Sequence, residues 1–205
     1  MKTTIPPATV QRLPIYLRSL ADLPPSQATC SSEQIATLAG VNSAQVRKDL
    51  SYLGSHGTRG VGYGVAELRN QLRRALGLTT DYAVMIVGAG NLGAALSNYG
   101  GFEIWGFEVV SIVDADPGKI GTWIAGLRVE AIDDLEHIVK DRSVEIAIVA
   151  TPSRVAQDVA DRVIAAGVRS ILNFAPTVLD VPNTVNVRRV DLSTELQILT
   201  YHLQR

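Results

Sequence analysis

The chain has 205 residues, of which 46% are hydrophobic and 19% are charged, so it can bury a core and is not disordered throughout. Its longest apolar runs span about six residues, against the roughly 20 that a membrane helix needs, so no membrane span is expected. The single cysteine, Cys30, excludes an internal disulfide, and the N-terminus lacks the apolar segment of a signal peptide, so we expect a protein of the reducing cytoplasm.

The near-neutral net charge of −1 conceals two halves of opposite sign. Residues 1–78 contain nine basic and four acidic residues, a net of +5, whereas residues 79–205 contain ten basic and sixteen acidic residues, a net of −6. A basic module joined to an acidic one predicts that the first binds a polyanion and that the second has a different role.

The first predicted helix begins at Pro14, because proline fits the first position of a helix, where its missing N–H costs no hydrogen bond. Ile15, Leu17 and Leu20 give this helix an apolar side, and Pro24 follows its end. The basic module therefore opens with an amphipathic helix.

Two short helices follow, each with a capping-box motif at its start. Ser31 and Gln34 form the first motif, and Gly40 ends that helix. Asn42 and Gln45 form the second motif. The apolar face of the earlier helix is expected to consist of Ile35, Leu38 and Ala39. Two short helices joined at a glycine are typical of a helix-turn-helix.

The later of these two helices separates an apolar face from a face rich in hydrogen-bond donors. Val46, Leu50 and Leu53 recur at helical spacing and are expected to face the core. The residues left toward solvent are Gln45, Arg47, Lys48, Ser51 and Tyr52. Their side chains suit phosphates and base edges in a DNA major groove. An ordinary solvated helix face would fit the same residues, and that alternative stays open at this point.

The next segment, residues 54–65, is rich in glycine and predicts a small β-hairpin. Val61, Tyr63 and Val65 alternate at the period of a strand. The tip of the hairpin would carry His56, Thr58 and Arg59. A helix-turn-helix followed by a hairpin is a winged helix, and Arg59 at the tip suits a DNA minor groove, which the flanking glycines allow the backbone to approach.

A last helix of the basic module is expected over residues 65–76. It carries Arg69, Arg73 and Arg74, which would either contact phosphates or pack toward the following domain. Residues 77–80 then form a short linker. Beyond it strands and helices alternate, a pattern typical of an α/β fold with a parallel sheet.

The acidic module opens with a dinucleotide-binding fingerprint. Tyr82–Val87 is a continuous apolar strand of the kind buried on both faces of a parallel sheet. It leads into Gly88-Ala-Gly-Asn-Leu-Gly93 and a helix over residues 94–99. In this motif Gly88 allows the tight turn, Gly90 lets a pyrophosphate approach the backbone, and Gly93 lets the helix pack closely on the strand. The context predicts a Rossmann-type domain.

Asp114 ends the second strand of this module, 21 residues after Gly93. A carboxylate at that place accepts hydrogen bonds from the ribose hydroxyls of an adenosine and repels a 2′-phosphate, which favours NAD(H) over NADP(H). A cap at the end of a strand is the alternative role for Asp114.

Two later strands end in Ala150-Thr151-Pro152 and Asn173-Phe174-Ala175-Pro176, and such strand ends border the ligand crevice of an open α/β sheet. No histidine follows a strand end, because His56 lies in the wing, His137 in a polar helix and His202 near the C-terminus. A dehydrogenase needs a positioned acid or base. We therefore expect neither catalytic residues nor a metal site.

The C-terminal segment predicts a helix built to meet another helix. Asp191 is a candidate N-cap, and leucines follow at helical spacing. These leucines are Leu192, Leu196, Leu199 and Leu203. A terminal helix that lies on its own domain would show the same pattern, but DNA-binding winged helices usually act as symmetric dimers, so dimerisation is favoured.

Taken together, these segments resemble the family of redox-sensing transcriptional repressors called Rex. The matching strings are Arg12-Leu-Pro-Ile-Tyr-Leu-Arg18, Ser31-Ser32, Gln45-Val-Arg-Lys-Asp-Leu-Ser-Tyr52, Gly57-Thr-Arg-Gly-Val-Gly-Tyr63, Val87-Gly-Ala-Gly-Asn-Leu-Gly93, Asp114-Ala-Asp-Pro-Gly-Lys-Ile-Gly121 and Asn173-Phe-Ala-Pro176. The wing string and the string that starts at Asp114 are the specific ones, because many dehydrogenases share the glycine fingerprint.

The resemblance implies a homodimer that binds an inverted-repeat DNA operator and is released when NADH replaces NAD⁺. It implies a winged helix-turn-helix domain over residues 1–78, a Rossmann-like NAD-binding domain over 79–190, and a C-terminal helix over 191–205 that is exchanged between subunits. It also implies a polar network of Arg18, Tyr99 and Asp191 that differs between the two cofactor states. Because the chain stops at Arg205, no role for a longer tail is expected.

The residues expected to contact the dinucleotide are Gly88, Ala89, Gly90, Asn91, Leu92, Gly93, Tyr99, Asp114, Lys119, Ile120, Thr151, Pro152, Asn173, Phe174, Ala175 and Pro176. Those expected to contact DNA are Gln45, Arg47, Lys48, Ser51, Tyr52, Thr58, Arg59 and Gly60. NAD⁺ and NADH differ only in the nicotinamide ring, so our hypothesis is that Tyr99, Phe174 and residues 150–152 line the ring pocket and that Asp191 reports its occupancy to Arg18.

Two other functions remain open from the sequence. An NAD-dependent oxidoreductase with an added DNA-binding module would have to turn over some substrate. A nucleotide- or CoA-binding protein of the related Rossmann-like class would have no use for Asp114.

Overall fold

The computed structural model describes residues 5–203, apart from the side chain of His202, and divides the chain into two compact units with the boundary between Thr80 and Asp81. The expected domain ranges begin at residue 1 and end at residue 205, and residues 1–4 and 204–205 lie outside the described part. Within the described part no helix is long and apolar enough to cross a membrane.

The first unit is mainly helical. Its described elements are α1 (Pro7–Ala21), β1 (Thr29–Cys30), α2 (Ser32–Ala39), α3 (Ser43–Ser51), β2 (Tyr63–Gly64) and α4 (Val65–Ala75). All four helices contribute fully buried side chains to the core, among them Leu13, Ile35, Leu50 and Leu72. Helices α2 and α3 follow one another across Gly40, whose left-handed backbone (φ 67°) ends α2, so they form the predicted helix-turn-helix.

Helix α1 begins at Pro7, so the predicted start at Pro14 is wrong. Pro7 takes the first helical position, after Pro6 in an extended conformation. Pro14 lies inside the helix on its exposed side, where water can bind the carbonyl that its missing N–H leaves without a partner.

The apolar faces of α1 and α2 are also shifted from the prediction. Ile15 is exposed although Leu17 is buried, because positions two residues apart point about 200° apart around a helix and cannot both face the core. Leu38 of α2 is exposed as well, and Ala36 takes a buried position instead.

The two capping motifs differ in completeness. The Ser31 hydroxyl accepts the N–H of Gln34 at 3.1 Å and the Gln34 side chain accepts the N–H of Ser31 at 3.0 Å, which completes the first capping box. Asn42 accepts the N–H of Gln45 at 2.9 Å, but the Gln45 side chain donates to Asp49, so the second motif is half formed. The departure points to Asp49 as a strong acceptor.

The wing is smaller than the predicted hairpin. Thr58 and Gly62 form one isolated bridge, with two N–H to carbonyl bonds of 2.8 Å between them. Strand β2 instead pairs antiparallel with β1, and a Cβ at Gly62, where φ is +94°, would overlap the carbonyl oxygen of Cys30. Val65 begins α4 rather than continuing a strand. Alternation along the segment could not show a pairing partner that comes from a distant part of the chain.

The second unit is a three-layer α/β structure. Its helices are α5 (Asn91–Ser97), α6 (Gly101–Ile104), α7 (Leu135–Asp141), α8 (Ser153–Ala165) and α9 (Leu192–Leu203), and its strands are β3 (Tyr82–Val87), β4 (Phe107–Asp114), β5 (Trp123–Ile124), β6 (Leu127–Arg128), β7 (Glu130–Ala131), β8 (Ile146–Val149), β9 (Ser170–Asn173) and β10 (Asn186–Arg189). Six of these strands form one parallel sheet in the order β10-β9-β8-β3-β4-β7, and β5 pairs with β6 in a separate antiparallel hairpin.

Strand β3 lies in the middle of the sheet and is buried on both faces, as its continuous apolar sequence predicts. Met85 and Val87 join one apolar cluster, and Val84 and Ile86 join the other. Because the strands are parallel, their carboxyl ends lie at one edge of the sheet. There β3 lies between β4 and β8, which is the switch point where α/β sheets bind ligands.

Helix α9 leaves its leucine side uncovered by the described rest of the second unit. Leu192, Leu196, Leu199 and Leu203 are 59–84% exposed. Asp191 caps the helix, since its Oδ1 accepts the N–H of Ser193 at 3.1 Å. The alternative in which this helix buries its leucines on its own domain is therefore not what the structure shows.

Candidate functional site

Helix α3 has the two faces predicted from its sequence. Val46 and Leu50 are fully buried. Arg47, Lys48 and Ser51 are exposed, whereas Gln45, Tyr52 and Leu53 are partly buried. The exposed face therefore presents a guanidinium, an ammonium and a hydroxyl together, a set suited to DNA phosphates.

Arg47 forms an exposed, weak ion pair with Glu33. Its Nη1 donates to Ser32 Oγ at 3.0 Å and to Glu33 Oε1 at 3.2 Å. The side chains of Arg47 and Glu33 are 53% and 67% exposed, and such pairs contribute at most about 1 kcal/mol. Exchange of this carboxylate for a DNA phosphate would therefore cost little.

The strongest polar cluster of the first unit surrounds Asp49, which was not among the predicted site residues. Its carboxylate is fully buried and accepts hydrogen bonds from Thr9 Oγ1 at 2.8 Å and Tyr16 Oη at 2.7 Å. Arg12 donates twice, from Nε at 2.6 Å and from Nη2 at 2.9 Å, and Gln45 Nε2 donates at 2.9 Å. Three of these donors belong to α1, so the cluster fixes α3 against α1.

This cluster keeps Asp49 ionised. Burial raises the pKa of its carboxyl group, but the hydrogen bonds from Arg12, Tyr16, Thr9 and Gln45 outweigh burial and hold the pKa at about 2. Burial and the hydrogen bond to Asp49 raise the pKa of Tyr16 to about 12, so its phenol remains a donor at neutral pH. The sequence signal was present, because Asp49 lies three residues after Val46 and so belongs to the core-facing side of α3.

The tip of the wing exposes Thr58, Arg59 and Gly60. The N–H of Val61 donates to the Thr58 carbonyl at 3.0 Å and closes a tight turn around Arg59 and Gly60, where Gly60 has φ +80°. His56 precedes the bridge and is not part of this tip. Arg59 is thus carried on a narrow, exposed turn.

A cavity of about 770 Å³ lies at the switch point of the parallel sheet. The predicted cofactor residues that line it are Gly88, Gly90, Asn91, Leu92, Asp114, Lys119, Thr151, Pro152, Phe174 and Pro176. Its wall also includes residues that the sequence did not single out, among them Asp116, Ile132, Arg154 and Val155. The cavity is large enough for a dinucleotide-sized ligand.

The glycines of the loop have the backbone geometry that the fingerprint predicts. Gly88 has φ +108°, and a Cβ there would lie 2.6 Å from the carbonyl oxygen of Ala150. A Cβ on Gly93 would overlap the carbonyl oxygen of Gly88, so α5 packs directly on the loop. A Cβ on Gly90 would meet no atom within 4 Å, so the backbone faces open space where a phosphate can approach.

Asp114 holds the glycine loop as well as facing the cavity. Its Oδ2 accepts the N–H of Ala89 at 2.7 Å and the Lys119 ammonium at 3.1 Å, and its Oδ1 accepts the N–H of Asp116 at 2.8 Å. Burial raises the pKa of Asp114, but the N–H groups of Asp116 and Ala89 and the Lys119 ammonium outweigh it, so the pKa is lowered. An ionised Asp114 can accept hydrogen bonds from ribose hydroxyls.

Thr151 supplies an independent sign of a ligand. Its buried Oγ1 has no hydrogen-bond partner among the described residues, although it belongs to the cavity wall. A buried hydroxyl without a partner costs free energy unless a ligand or water satisfies it. The open Gly90 backbone, the ionised Asp114 and this hydroxyl together fit a dinucleotide.

The remaining predicted cofactor residues do not line the cavity. Ala89 lies beneath it with its N–H on Asp114. Asn173 is buried and shapes the following turn, since its Nδ2 donates to the Thr177 carbonyl and its Oδ1 accepts the N–H of Ala175, both at 2.9 Å. Gly93 and Ala175 are buried, and Ile120 lies in a neighbouring cavity of about 550 Å³.

Two residues of the expected switch, Tyr99 and Asp191, belong to the second unit and have different partners there. Tyr99 is exposed, packs edge-on against Phe102 with ring centroids 5.1 Å apart, and lines a different cavity, of about 390 Å³. Asp191 Oδ2 accepts from Arg189 Nη2 at 2.7 Å. Arg18 is an exposed residue of α1 in the other unit.

Within residues 5–203, the side chain of His202 excepted, no group of three His, Cys, Asp or Glu is arranged to hold a metal ion. The fold and the two sites together define a class of protein, a winged-helix transcriptional regulator whose second domain has a Rossmann-like ligand cavity.

Comparisons with known proteins agree with that class. Residues 4–51 match the family model "Putative DNA-binding protein N-terminus", and residues 79–177 match "CoA binding domain". The chain is 61% identical over 202 residues to the redox-sensing transcriptional repressor Rex of Streptomyces griseus, covering 98% of this chain and 80% of that protein. It is 49% identical over 205 residues to Rex of Desulfitobacterium hafniense, covering 99% and 98%.

Solved structures of a Rex-family repressor are also similar to this chain. The structure of RSP in complex with β-NAD⁺ and operator DNA superposes with a TM-score of 0.91 at 38% identity, covering 98% of this chain and 93% of that one. RSP in complex with β-NADH superposes with a TM-score of 0.88 at 37% identity, covering 98% and 95%. RSP is described as a Rex-family repressor. The chain therefore belongs to the Rex family of redox-sensing transcriptional repressors.

The Asp49 cluster predicts a specific dependence of stability on pH. Asp49→Asn should lower the free energy of unfolding by about 3 kcal/mol at pH 7, because Arg12 loses its partner and a neutral amide faces it. In the unaltered protein the ionised Asp49 contributes about 2 kcal/mol to the free energy of unfolding. This contribution is present above about pH 4, close to the pKa of about 4 that an aspartate has in the unfolded chain, and it is lost as the pH falls toward the folded-state pKa of about 2. Urea denaturation from pH 7 to pH 2 measures both quantities.

The difference in stability between the two proteins should therefore shrink as the pH falls. Asp22→Asn, which alters an exposed carboxylate near the end of the same helix α1, is the control and should change stability by less than about 0.5 kcal/mol. A difference for Asp49→Asn that stays constant down to pH 2 would contradict the assigned ionisation.

Proposed function

We propose that this protein is a homodimer that binds an inverted-repeat operator through its winged helices and dissociates from it when NADH replaces NAD⁺ in the Rossmann-like cavity. The observation that carries the proposal is one cavity that combines an open Gly90 backbone, an ionised Asp114 and the buried Thr151 hydroxyl without a partner, on a chain that also has a basic winged helix. RSP, a relative of the same fold, is known in complex with β-NAD⁺ and operator DNA and with β-NADH.

In this proposal the DNA contacts divide between phosphates and bases. The exposed Arg47 and Lys48 neutralise phosphates, while Gln45 and Ser51 of α3 and Tyr52 just after it face the major groove. The wing tip, with Thr58, Arg59 and Gly60, enters the neighbouring minor groove. A regulator of this kind acts where the chromosome is, so we place it in the cytoplasm.

The cofactor contacts divide in a similar way. Asp114 and Lys119 hold the adenosine ribose, and the loop at residues 88–93 holds the pyrophosphate. These contacts are the same for NAD⁺ and NADH, so they supply affinity without discrimination. Discrimination falls to the walls near the nicotinamide ring, which we assign to Thr151 and Phe174. When bound, the dinucleotide supplies a ring that is positively charged when oxidised and neutral when reduced.

Helix α9 is the proposed link between two copies. Its four leucines are largely exposed, and Ile198 on another side of the helix is 51% exposed. A helix with apolar residues on two sides can lie between two surfaces, which suits exchange with a partner subunit. Exchange would also carry Asp191 to the other copy, where it would join Arg18 and Tyr99 in the switch.

The proposed regulator performs no chemistry on its cofactor. No histidine follows a strand end in the sequence, and among the described cavity residues the ionisable side chains are those of Asp114, Asp116, Lys119 and Arg154. Asp114 and Lys119 are engaged with each other, at 3.1 Å. The oxidoreductase alternative would require NADH to be consumed together with a second substrate.

The central prediction is that NADH, and not NAD⁺, releases DNA. Duplexes that the protein selects from a random pool should bind in NAD⁺ at fixed salt and dissociate as NADH is added, because NADH favours the state that does not bind DNA. Fluorescence anisotropy of a labelled duplex measures the fraction bound. A change from 99% bound to 99% free requires about 5.5 kcal/mol of differential binding, shared by two sites. Release that is absent, or equal with both cofactors, would refute the proposal.

The cofactor assignment predicts a selectivity change for Asp114→Ser. Loss of the carboxylate should weaken NADH binding about tenfold or more, since a charge-assisted hydrogen bond contributes roughly 1.5–3 kcal/mol. NADPH should lose less or gain, because the charge that repels its 2′-phosphate is gone. Calorimetric titration with each nucleotide measures the ratio, and Asp180→Ser, at an exposed carboxylate outside the cavity wall, is the control. An unchanged ratio of NADH to NADPH affinity would exclude this role.

The dimer assignment predicts that charge on the leucine side of α9 separates the subunits. Leu196→Asp combined with Leu199→Asp should change the particle from about twice 22.0 kDa to a monomer, because each buried leucine contributes roughly 1.5–3 kcal/mol. Gln197→Asp, on another side of the same helix, should leave the dimer intact. Light scattering measures the mass, and a double variant that stays dimeric would show that α9 is not the interface.

A further inference from the structure

Gln45 occupies an unusual position on the DNA-facing helix. It is partly buried, and its Nε2 donates to the fully buried Asp49 Oδ1 at 2.9 Å. Among the described residues no donor is paired with its Oε1, and its amide nitrogen keeps a second N–H. One end of the side chain is therefore fixed inside the protein, while an acceptor and a donor of the same amide remain for another partner.

The acceptor that fixes Gln45 is itself immobile. Both oxygens of Asp49 are engaged by Arg12, and Thr9 and Tyr16 add bonds of 2.8 and 2.7 Å. A buried carboxylate with this many donors cannot turn without leaving several of them unpaired, which is costly. The orientation of the Gln45 amide is thus imposed by α1 through Asp49.

We infer that Asp49 is the positioning residue for base recognition, acting through Gln45 and without touching DNA, an inference that rests on the proposed DNA-binding function. A glutamine amide matches adenine in the major groove, where its oxygen accepts from N6 and its N–H donates to N7. Free glutamine loses much rotamer freedom when it makes this contact. Asp49 removes that loss in advance, so base discrimination at the Gln45 position depends on the Asp49 cluster.

Phosphate binding is assigned to other residues than Gln45. This difference allows a positioning role of Asp49 to be distinguished from a purely structural one. Arg47 and Lys48 are exposed and make no hydrogen bond or ion pair with Asp49 in the described structure. Removal of the Asp49 charge should therefore lower the affinity for a selected duplex and leave the affinity for an unrelated duplex nearly unchanged. A merely structural role would lower both affinities together.

The experiment compares Asp49→Asn, Gln45→Ala and the double variant in the full-length protein. Each is titrated, at a temperature where circular dichroism shows it folded, against a duplex selected from a random pool by the unaltered protein and against a scrambled duplex of equal composition. The ratio of the two affinities should fall about tenfold in each single variant. The double variant should fall no further than Gln45→Ala alone, because Asp49 acts through Gln45.

Two further variants separate an effect on base recognition from an effect on stability. Arg12→Lys keeps the charge but loses the paired donors that fix the carboxylate, so it should lower the ratio by a smaller factor while the protein stays folded. Leu68→Ala removes a buried core side chain far from this cluster in sequence, and it should lower stability without changing the ratio.

The outcomes are distinct. An unchanged ratio in Asp49→Asn and Arg12→Lys, an equal loss on both duplexes, or additive losses in the double variant would overturn the inference. If the unaltered protein selects no duplex from the pool, the proposed function fails first and the inference falls with it.

Discussion

The DNA-facing half of the molecule depends on one buried charge. Asp49 is fully enclosed, and an ionised carboxylate survives in such a place only if hydrogen bonds replace its water. Five bonds do so, and three of the four donor residues lie on α1. Helices α1 and α3 therefore cannot move independently, and the exposed face of α3 has the orientation that α1 imposes.

Asp114 plays a comparable part in the second unit. Its carboxylate binds the N–H of Ala89 in the glycine loop and the N–H of Asp116 in the following turn, so it joins the ends of β3 and β4. Lys119 completes the set from a side chain that is 39% exposed. A ribose would displace part of this set and not the backbone contacts. The chain's own hydrogen bonds thus hold the loop in place, and a site that is ordered in advance loses less entropy when it binds a ligand.

Local signals in the sequence predicted several local features, although they misplaced the start of α1 and two of the apolar positions of α1 and α2. The glycine fingerprint, the buried strand β3 and the Ser31 capping box all depend on residues adjacent in the chain, and the structure has each of them. Features that depend on distant partners were missed or misjudged. These include the pairing of β1 with β2, strands β7 and β10, and the donors that α1 sends to Asp49. The β5–β6 hairpin was also missed, although its two strands are adjacent in the chain. A single sequence shows a carboxylate at a core-facing position but not the residues that satisfy it.

A cavity shared by NAD⁺ and NADH also explains how a protein of this kind can respond to the ratio of the two nucleotides rather than to their total concentration. If NAD⁺ and NADH compete for the loop at residues 88–93 and for Asp114, and both are present well above their dissociation constants, the cavity is always occupied and only the identity of its occupant varies. Affinity from the common adenosine and pyrophosphate then makes the response independent of the total pool. In the proposed homodimer, the few contacts assigned to Thr151 and Phe174 would then set the ratio at which the protein changes state. Tight binding and sensitive switching are thus assigned to different residues of one cavity.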